Sequence, residues 1–294
     1  VLNLVENMHH QWRAFGGWTW AFKDYYAMNF TAHIDDPNTQ SMCDIVDPYT
    51  YFDRLEGMPK LVVNTGMDEF MQVDDDHYWW DELPEPKHRL LAPNTEHSCA
   101  TGIFEIVPAA VAMANQIIVG EPVPALKWEV DEGGEGSQTA SITVYAGEEY
   151  TSGFAPIHVT MWSAPSECSG VRRDWRIVTG GPENEGDGCP CGLESQGQCL
   201  NLKSWWHSTT LSEDPDRPGV YVGTQAAPES GWTAFFVDVT YMPTAYRNGS
   251  ADAAYEKALL ALAASEGPAD LAFVREGIAK ADKTAAEERW VPST

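Results

Sequence analysis

Two short apolar runs, each ending in a turn that delivers one polar residue, constrain this chain more than any other feature. Pro59-Lys60-Leu61-Val62-Val63-Asn64-Thr65-Gly66 has the composition of a buried strand and ends at a glycine two residues before Asp68. Arg89-Leu90-Leu91-Ala92 reads as a second strand, and its exit, Pro93-Asn94-Thr95-Glu96, delivers His97. The 29 residues from Asp68 to His97 leave room for a helix, a strand and a loop. A doubly wound parallel sheet carries residues that follow successive strands to its carboxyl edge, so Asp68 and His97 are expected to meet there.

An acid and a histidine so placed are two parts of a hydrolytic triad. The histidine is the base, the acid fixes its tautomer and stabilises the imidazolium, and a nucleophile must lie within hydrogen-bond reach of the base. In sheet hydrolases the chain order is nucleophile, acid, histidine. No residue before Asp68 has the strand–elbow–helix context of that nucleophile. Gly136-Ser137, Cys168-Ser169-Gly170 and Gly249-Ser250 come later and lack it too. Ser98 and Cys99 follow His97 directly, and neighbours cannot both face one carbonyl. The nucleophile is therefore expected upstream of Val1, or the pair has none. Val1-Leu2-Asn3-Leu4-Val5 fits that expectation, since it resembles a central parallel strand with no initiator methionine or basic lead-in.

Other polar clusters have plainer readings. Glu69 rivals Asp68 as the acid. The run Asp74-Asp75-Asp76 is expected to cap a helix over Asp76–Leu83, where negative charge is favourable, and it lacks the alternating spacing of a calcium loop. His9-His10 near Glu6 could hint at a metal pair, but adjacent side chains diverge on either helix or strand, so they read as loop residues. No cofactor is expected.

Residues 1–119 alternate strand and helix signals. Trp18–Phe30 is an aromatic, amphipathic stretch expected to be helical, Thr39–Val46 a short helix closed by Asp47-Pro48, and Thr101–Val119 an apolar helix interrupted at Pro108 and stopped by Gly120. Trp12, Trp18, Trp20, Tyr25 and Tyr26 would line an apolar pocket or pack the core of a lid; composition does not choose between them. A linker at 120–125 follows, and the pattern then changes to period two. Ile142 and Val144 share a face, as do Ile157, Val159 and Met161; Phe235, Val237, Val239 and Tyr241 oppose Ala234, Phe236, Asp238 and Thr240. The fold class is thus α/β: the last part of a hydrolase-type parallel sheet over 1–119, an antiparallel β-sandwich over 126–245 with a long loop at Gly180–Gly197, and an alanine-rich helical tail over 246–294.

Formal net charge is −26, from 44 acidic and 18 basic residues. Such a surface repels phosphate backbones and anionic lipid, so neither nucleic acid nor a membrane is an expected partner. No apolar run is long enough to span a bilayer. The sequons at Asn29 and Asn248 and a cysteine-bearing loop point to a secreted or extracellular location. Cys189 and Cys191 are too close to bond each other easily and are expected to reach separately to Cys168 and Cys199. Cys43 and Cys99 are left to pair together or with an upstream residue. Zinc at Cys189, Cys191 and Cys199 lacks the usual two-residue knuckle.

A string of short motifs resembles one family. Gly16-Gly17-Trp18, Asp47-Pro48-Tyr49 with Tyr51 and Arg54, Met58-Pro59-Lys60-Leu61, Gly66-Met67-Asp68-Glu69-Phe70 and Pro93-Asn94-Thr95-Glu96-His97 are similar to the PhoPQ-activated pathogenicity-related family, which takes in the autocrine proliferation repressors. Beyond the linker, Trp162-Ser163-Ala164, Arg173-Asp174-Trp175-Arg176 and Gly231-Trp232-Thr233-Ala234-Phe235-Phe236-Val237 resemble its C-terminal β-region. The resemblance covers roughly residues 1–245. It implies an α/β-hydrolase-like fold with Asp68 and His97 in the acid and histidine positions and a serine elbow before Val1. The chain departs from the family in lacking a nucleophile, in the insertion around 180–200 and in the tail. Two functions are compatible: a secreted serine hydrolase of ester or peptide bonds completed by an upstream part or a cleaved companion chain, or a catalytically inactive extracellular module that binds a protein partner.

Overall fold

The computed structural model describes residue 9 and residues 23–134, 136–166, 173–179, 192–195 and 198–242. Helix α1 covers Lys23–Ala27; of the stretch Trp18–Phe30 expected to be helical, residues 18–22 lie outside the described residues, and the helix ends short of Phe30. It ends because Asn29 adopts a left-handed conformation (φ 58°), which breaks the helical run. Helix α2 (Pro37–Val46) starts where the Asp36 side chain accepts the Asn38 N–H and Pro37 takes the first position. Asp47 closes α2 through its own N–H to the Cys43 carbonyl, then caps a 3-10 segment, Pro48–Leu55, by accepting the Tyr49 N–H.

Strands β1 (Lys60–Thr65) and β2 (Lys87–Ala92) pair in parallel, from Lys60 opposite Lys87 to Thr65 opposite Ala92. Among the described residues the parallel component is this one pair. The helix expected at Asp76–Leu83 does not form; a 3-10 turn, Asp75–Tyr78, replaces it. The acidic run is drawn into other contacts: Asp75 accepts the Gln72 N–H, Asp76 pairs with Arg89, and Asp74 pairs with Arg173. Helix α3 (Ile103–Val119) runs unbroken through Pro108, so the expected interruption is absent. A proline removes one hydrogen bond near the start of a seventeen-residue apolar helix without ending it. Gly120, at φ 73°, terminates it as expected.

After the linker come β3 (Lys127–Asp131), β4 (Thr139–Tyr145), β5 (Pro156–Pro165), β6 (Val178–Thr179), β7 (Gly192–Ser195), β8 (Gln198–Asn201), β9 (His207–Thr210), β10 (Val220–Ala226) and β11 (Thr233–Tyr241). They form three antiparallel sheets, ordered β10-β4-β3, β11-β5-β9 and β6-β8-β7. Strand β7 lies within the stretch expected to be loop. The first two sheets face each other. A Cβ on Gly223 of β10 would lie 3.0 Å from the Met161 sulfur and 3.1 Å from a Val237 methyl, so these side chains of β5 and β11 point at β10. Val144, Val159, Met161 and Val220 are buried. Residues 246–294, expected to form a helical tail, lie outside the described residues.

The opposite face of the β11-β5-β9 sheet is covered as well. Ala164, with Trp162, Ala234 and Phe236 beside it, packs with Met67, Trp175 and Trp206. Met67 follows β1, so this cluster joins the parallel pair to the sandwich. Asp238, alternating with Phe236 on this face, is pushed up to about 6 by burial, and Glu105 in the first turn of α3 is pushed up to about 8 by burial and by the Asp238 carboxylate. A carboxyl raised on folding binds its proton more tightly in the native state, so stability is greatest below the unfolded pKa and declines as pH rises through the folded one. Thermal midpoints should therefore fall as pH climbs from about 4.5 toward 8 through the Glu105 and Asp238 contributions. Glu105→Gln should flatten that fall; an unaltered pH slope in scanning calorimetry would contradict the assignment.

Candidate active site

Thr65 ends β1 and is nearly inaccessible. The next residue must be glycine, because a Cβ on Gly66 would lie 2.7 Å from Nε1 of Trp206 and 3.2 Å from the Pro93 Cα. Past the strands the two exits stay joined: Gly66 N–H donates to the Ala92 carbonyl (2.7 Å) and Met67 N–H to the Thr95 carbonyl (2.9 Å). Asp68 and His97 leave these turns side by side.

His97 Nδ1 is 3.0 Å from Asp68 Oδ1 and 3.1 Å from Oδ2. The pair forms as the strand order predicts. Asp68 is buried, and both oxygens are engaged: Oδ1 accepts the Phe70 and Met71 N–H groups at 2.7 and 2.9 Å, and Oδ2 accepts the Thr65 hydroxyl at 3.1 Å. These bonds leave the carboxylate one orientation. With the carboxylate accepting at Nδ1, the proton belongs there and Nε2 is left as the basic nitrogen. The imidazole side chain is 45% exposed, and among the described residues nothing bonds Nε2, so that nitrogen is open to a reactant. The Phe70 ring lies against the imidazole, centroids 4.4 Å apart. Glu69, the rival acid, accepts the His97 backbone N–H (3.2 Å) and so holds the loop rather than the ring.

The residues after His97 are occupied elsewhere. Ser98 Oγ donates to Glu96 Oε1 (2.7 Å), and the same carboxylate accepts the Ser98 and Ala100 N–H groups. Burial raises the Glu96 carboxyl, but the hydrogen bonds from Ser98, Ala100 and Thr101 outweigh it and leave it below the ordinary value. Burial pushes the Cys99 thiol up, as do the Asp68 and Glu96 carboxylates, which disfavours the thiolate a nucleophile needs. Its sulfur lies 3.7 Å from the His97 carbonyl oxygen, away from the ring nitrogens.

Three supporting residues were given no role by the sequence reading. Thr65 and Phe70 border Asp68 and could be found by inspecting its neighbours. Trp206 could not: it bonds both Gly66 and Asn94 from more than a hundred residues away, and no periodicity marks it.

The remaining candidates fall out as follows. Cys43 and Cys99 are both free and do not pair with each other, the first of the two expected arrangements; Cys43 is buried on α2, and Cys99 follows His97 in a separate loop. Cys199 is buried on β8 and disulfide-bonded, while Cys168, Cys189 and Cys191 lie outside the described residues. Asn29 is exposed in the turn after α1, and Asn248 lies outside the described residues. His9 pairs with Asp35 (3.1 Å), and His10 and Glu6 lie outside the described residues. No helix among the described residues is long and apolar enough to cross a membrane.

Comparison with known proteins gives two matches that bear on this geometry. The sequence pattern of the PhoPQ-activated pathogenicity-related protein family matches residues 1–176, a span that includes Asp68 and His97. Autocrine proliferation repressor protein A of Dictyostelium discoideum is 31% identical over 259 residues, which cover 87% of this chain and 47% of that protein. The chain thus spans about half the length of this curated relative. No solved structure matches it.

Proposed function

The chain belongs to the PhoPQ-activated pathogenicity-related protein family, and from that membership and the Asp68–His97 geometry we propose that it carries the acid and histidine of a secreted serine hydrolase acting on ester or peptide bonds. The observation that carries the reading is a buried, fully oriented carboxylate bound to Nδ1 of a histidine whose Nε2 is open. His97 takes the proton of a serine hydroxyl as that oxygen attacks the carbonyl carbon, then returns it to the leaving group. Asp68 stabilises the imidazolium between these steps. The serine and the oxyanion hole come from sequence upstream of residue 1, on the strands that β1 and β2 would continue in an α/β-hydrolase sheet. In this reading residues 1–119 are the end of that domain, 120–125 the linker, 126–245 the sandwich domain and 246–294 a helical tail. Exposed Asn29 and the bonded Cys199 support a secretory route.

A fluorophosphonate that reacts with activated serines should label the full polypeptide in its native state and fail to label it after heat denaturation. Absence of native labelling would remove the enzyme reading. A second reading then stands, in which the fold serves as an extracellular signalling or binding module. The name of the Dictyostelium relative, an autocrine repressor of proliferation, favours it.

A further inference from the structure

Trp206, immediately before β9, is 1% exposed and touches both turns of the candidate site. Its indole Nε1–H donates to the Gly66 carbonyl at 2.9 Å, two residues before Asp68. Its backbone pairs with the Asn94 side chain in both directions: Trp206 N–H donates to Asn94 Oδ1 (2.7 Å), and Asn94 Nδ2 donates to the Trp206 carbonyl (2.9 Å), three residues before His97. Asn94 holds φ at 51°, a left-handed conformation that asparagine tolerates better than most residues. The indole meets the Phe236 ring of β11 edge-on, centroids 5.2 Å apart. One side chain and its own peptide groups therefore tie the acid turn and the histidine turn to the sandwich.

We propose that Trp206 is a positioning residue, through which the β-sandwich fixes the separation and alignment of Asp68 and His97. Core packing alone would require only a large ring there. The closed set of three hydrogen bonds to both turns goes further, because each bond constrains a backbone segment that carries one member of the pair. Small displacements of a catalytic group are costly, with about 1 Å worth up to about a hundredfold in rate. The catalytic part of this inference rests on the proposed hydrolase reading; the geometric part does not.

Trp206→Phe in the full polypeptide keeps a buried ring and deletes the Nε1–H. The expected result is a loss of about ten- to a hundredfold in kcat on an activated ester such as p-nitrophenyl acetate, with KM unchanged. The low-field NMR resonance of the His97 Nδ1 proton should move upfield and exchange faster with water. In an Asp68→Asn background the same replacement should add almost nothing, since both changes act through one contact. An unchanged Nδ1 resonance in folded Trp206→Phe protein overturns the proposal, as does an equal loss of kcat in both backgrounds. Should Trp206→Phe fail to fold, Asn94→Gly releases the clamp from the other side while permitting the same φ, and it must give the same proton shift; an unchanged resonance there is equally fatal. If no esterase activity is found, a shifted resonance still upholds the clamp and only the hydrolase reading fails.

Discussion

On the proposed hydrolase reading, replacing Asp68 by asparagine is expected to cut turnover of the full polypeptide about 10⁴-fold, with KM and thermal stability little changed. The amide oxygen can take the place of Oδ1 and accept the Phe70 and Met71 N–H groups, which fixes the amide nitrogen in the place of Oδ2. That nitrogen then sets a donor against His97 Nδ1 in place of one of the two carboxylate oxygens that had faced it, and only the neutral amide oxygen is left beside it. The tautomer with its proton on Nε2, the nitrogen that should receive one from the nucleophile, gains ground, and the charge that stabilises the imidazolium is lost. Geometry survives and chemistry does not. Steady-state kinetics on an ester substrate check this, and turnover within a few fold of the parent protein would show that Asp68 does not orient the base.

The largest effect on stability is expected at Asp174. Its side chain and that of Arg176 are each 5% exposed. They meet as a two-pronged fork, with Arg176 Nε on Oδ1 at 2.8 Å and Nη2 on Oδ2 at 2.6 Å. Trp175 between them is buried and donates its indole N–H to the Ala164 carbonyl, so the pair flanks a member of the core cluster. Asp174→Ala leaves a buried guanidinium without its carboxylate and should cost about 3–5 kcal/mol. Arg176→Met in the same protein should restore much of this, because the charge then needs no partner. Urea denaturation measures both, and a cost below about 1 kcal/mol for Asp174→Ala would mean that water reaches the guanidinium.

The parts of this structure legible in the sequence are those set by local chemistry. The apolar runs at Leu61–Val63 and Leu90–Leu91 identified β1 and β2, the prolines and glycines marked their exits, and the strand order placed Asp68 beside His97. Alternation likewise found β4, β5 and β11. The failures have a common cause in distant partners. The acidic run reads as a helix cap until Arg89 and Arg173 approach it. Alternation divides β11 into two faces but cannot reveal that the one carrying Ala234, Phe236 and Asp238 packs against a further layer. Cys43 and Cys99 look like leftovers to be paired together, but they occupy separate elements and are not bonded to each other. Trp206 is the extreme case, a residue whose role is defined entirely by two turns far up the chain.

The reciprocal bonding of Asn94 and Trp206 also has a bearing on biosynthesis. The partners are 112 residues apart, and the indole bond to Gly66 spans 140. While the chain emerges from the ribosome, the acid and histidine turns exist long before the residue that ties them. Closing contacts of that span is entropically costly and comes late in folding. A nascent or prematurely terminated product ending before residue 206 would carry both polar residues without the proposed anchor, so the tied pair arrives only once synthesis has reached the edge of β9.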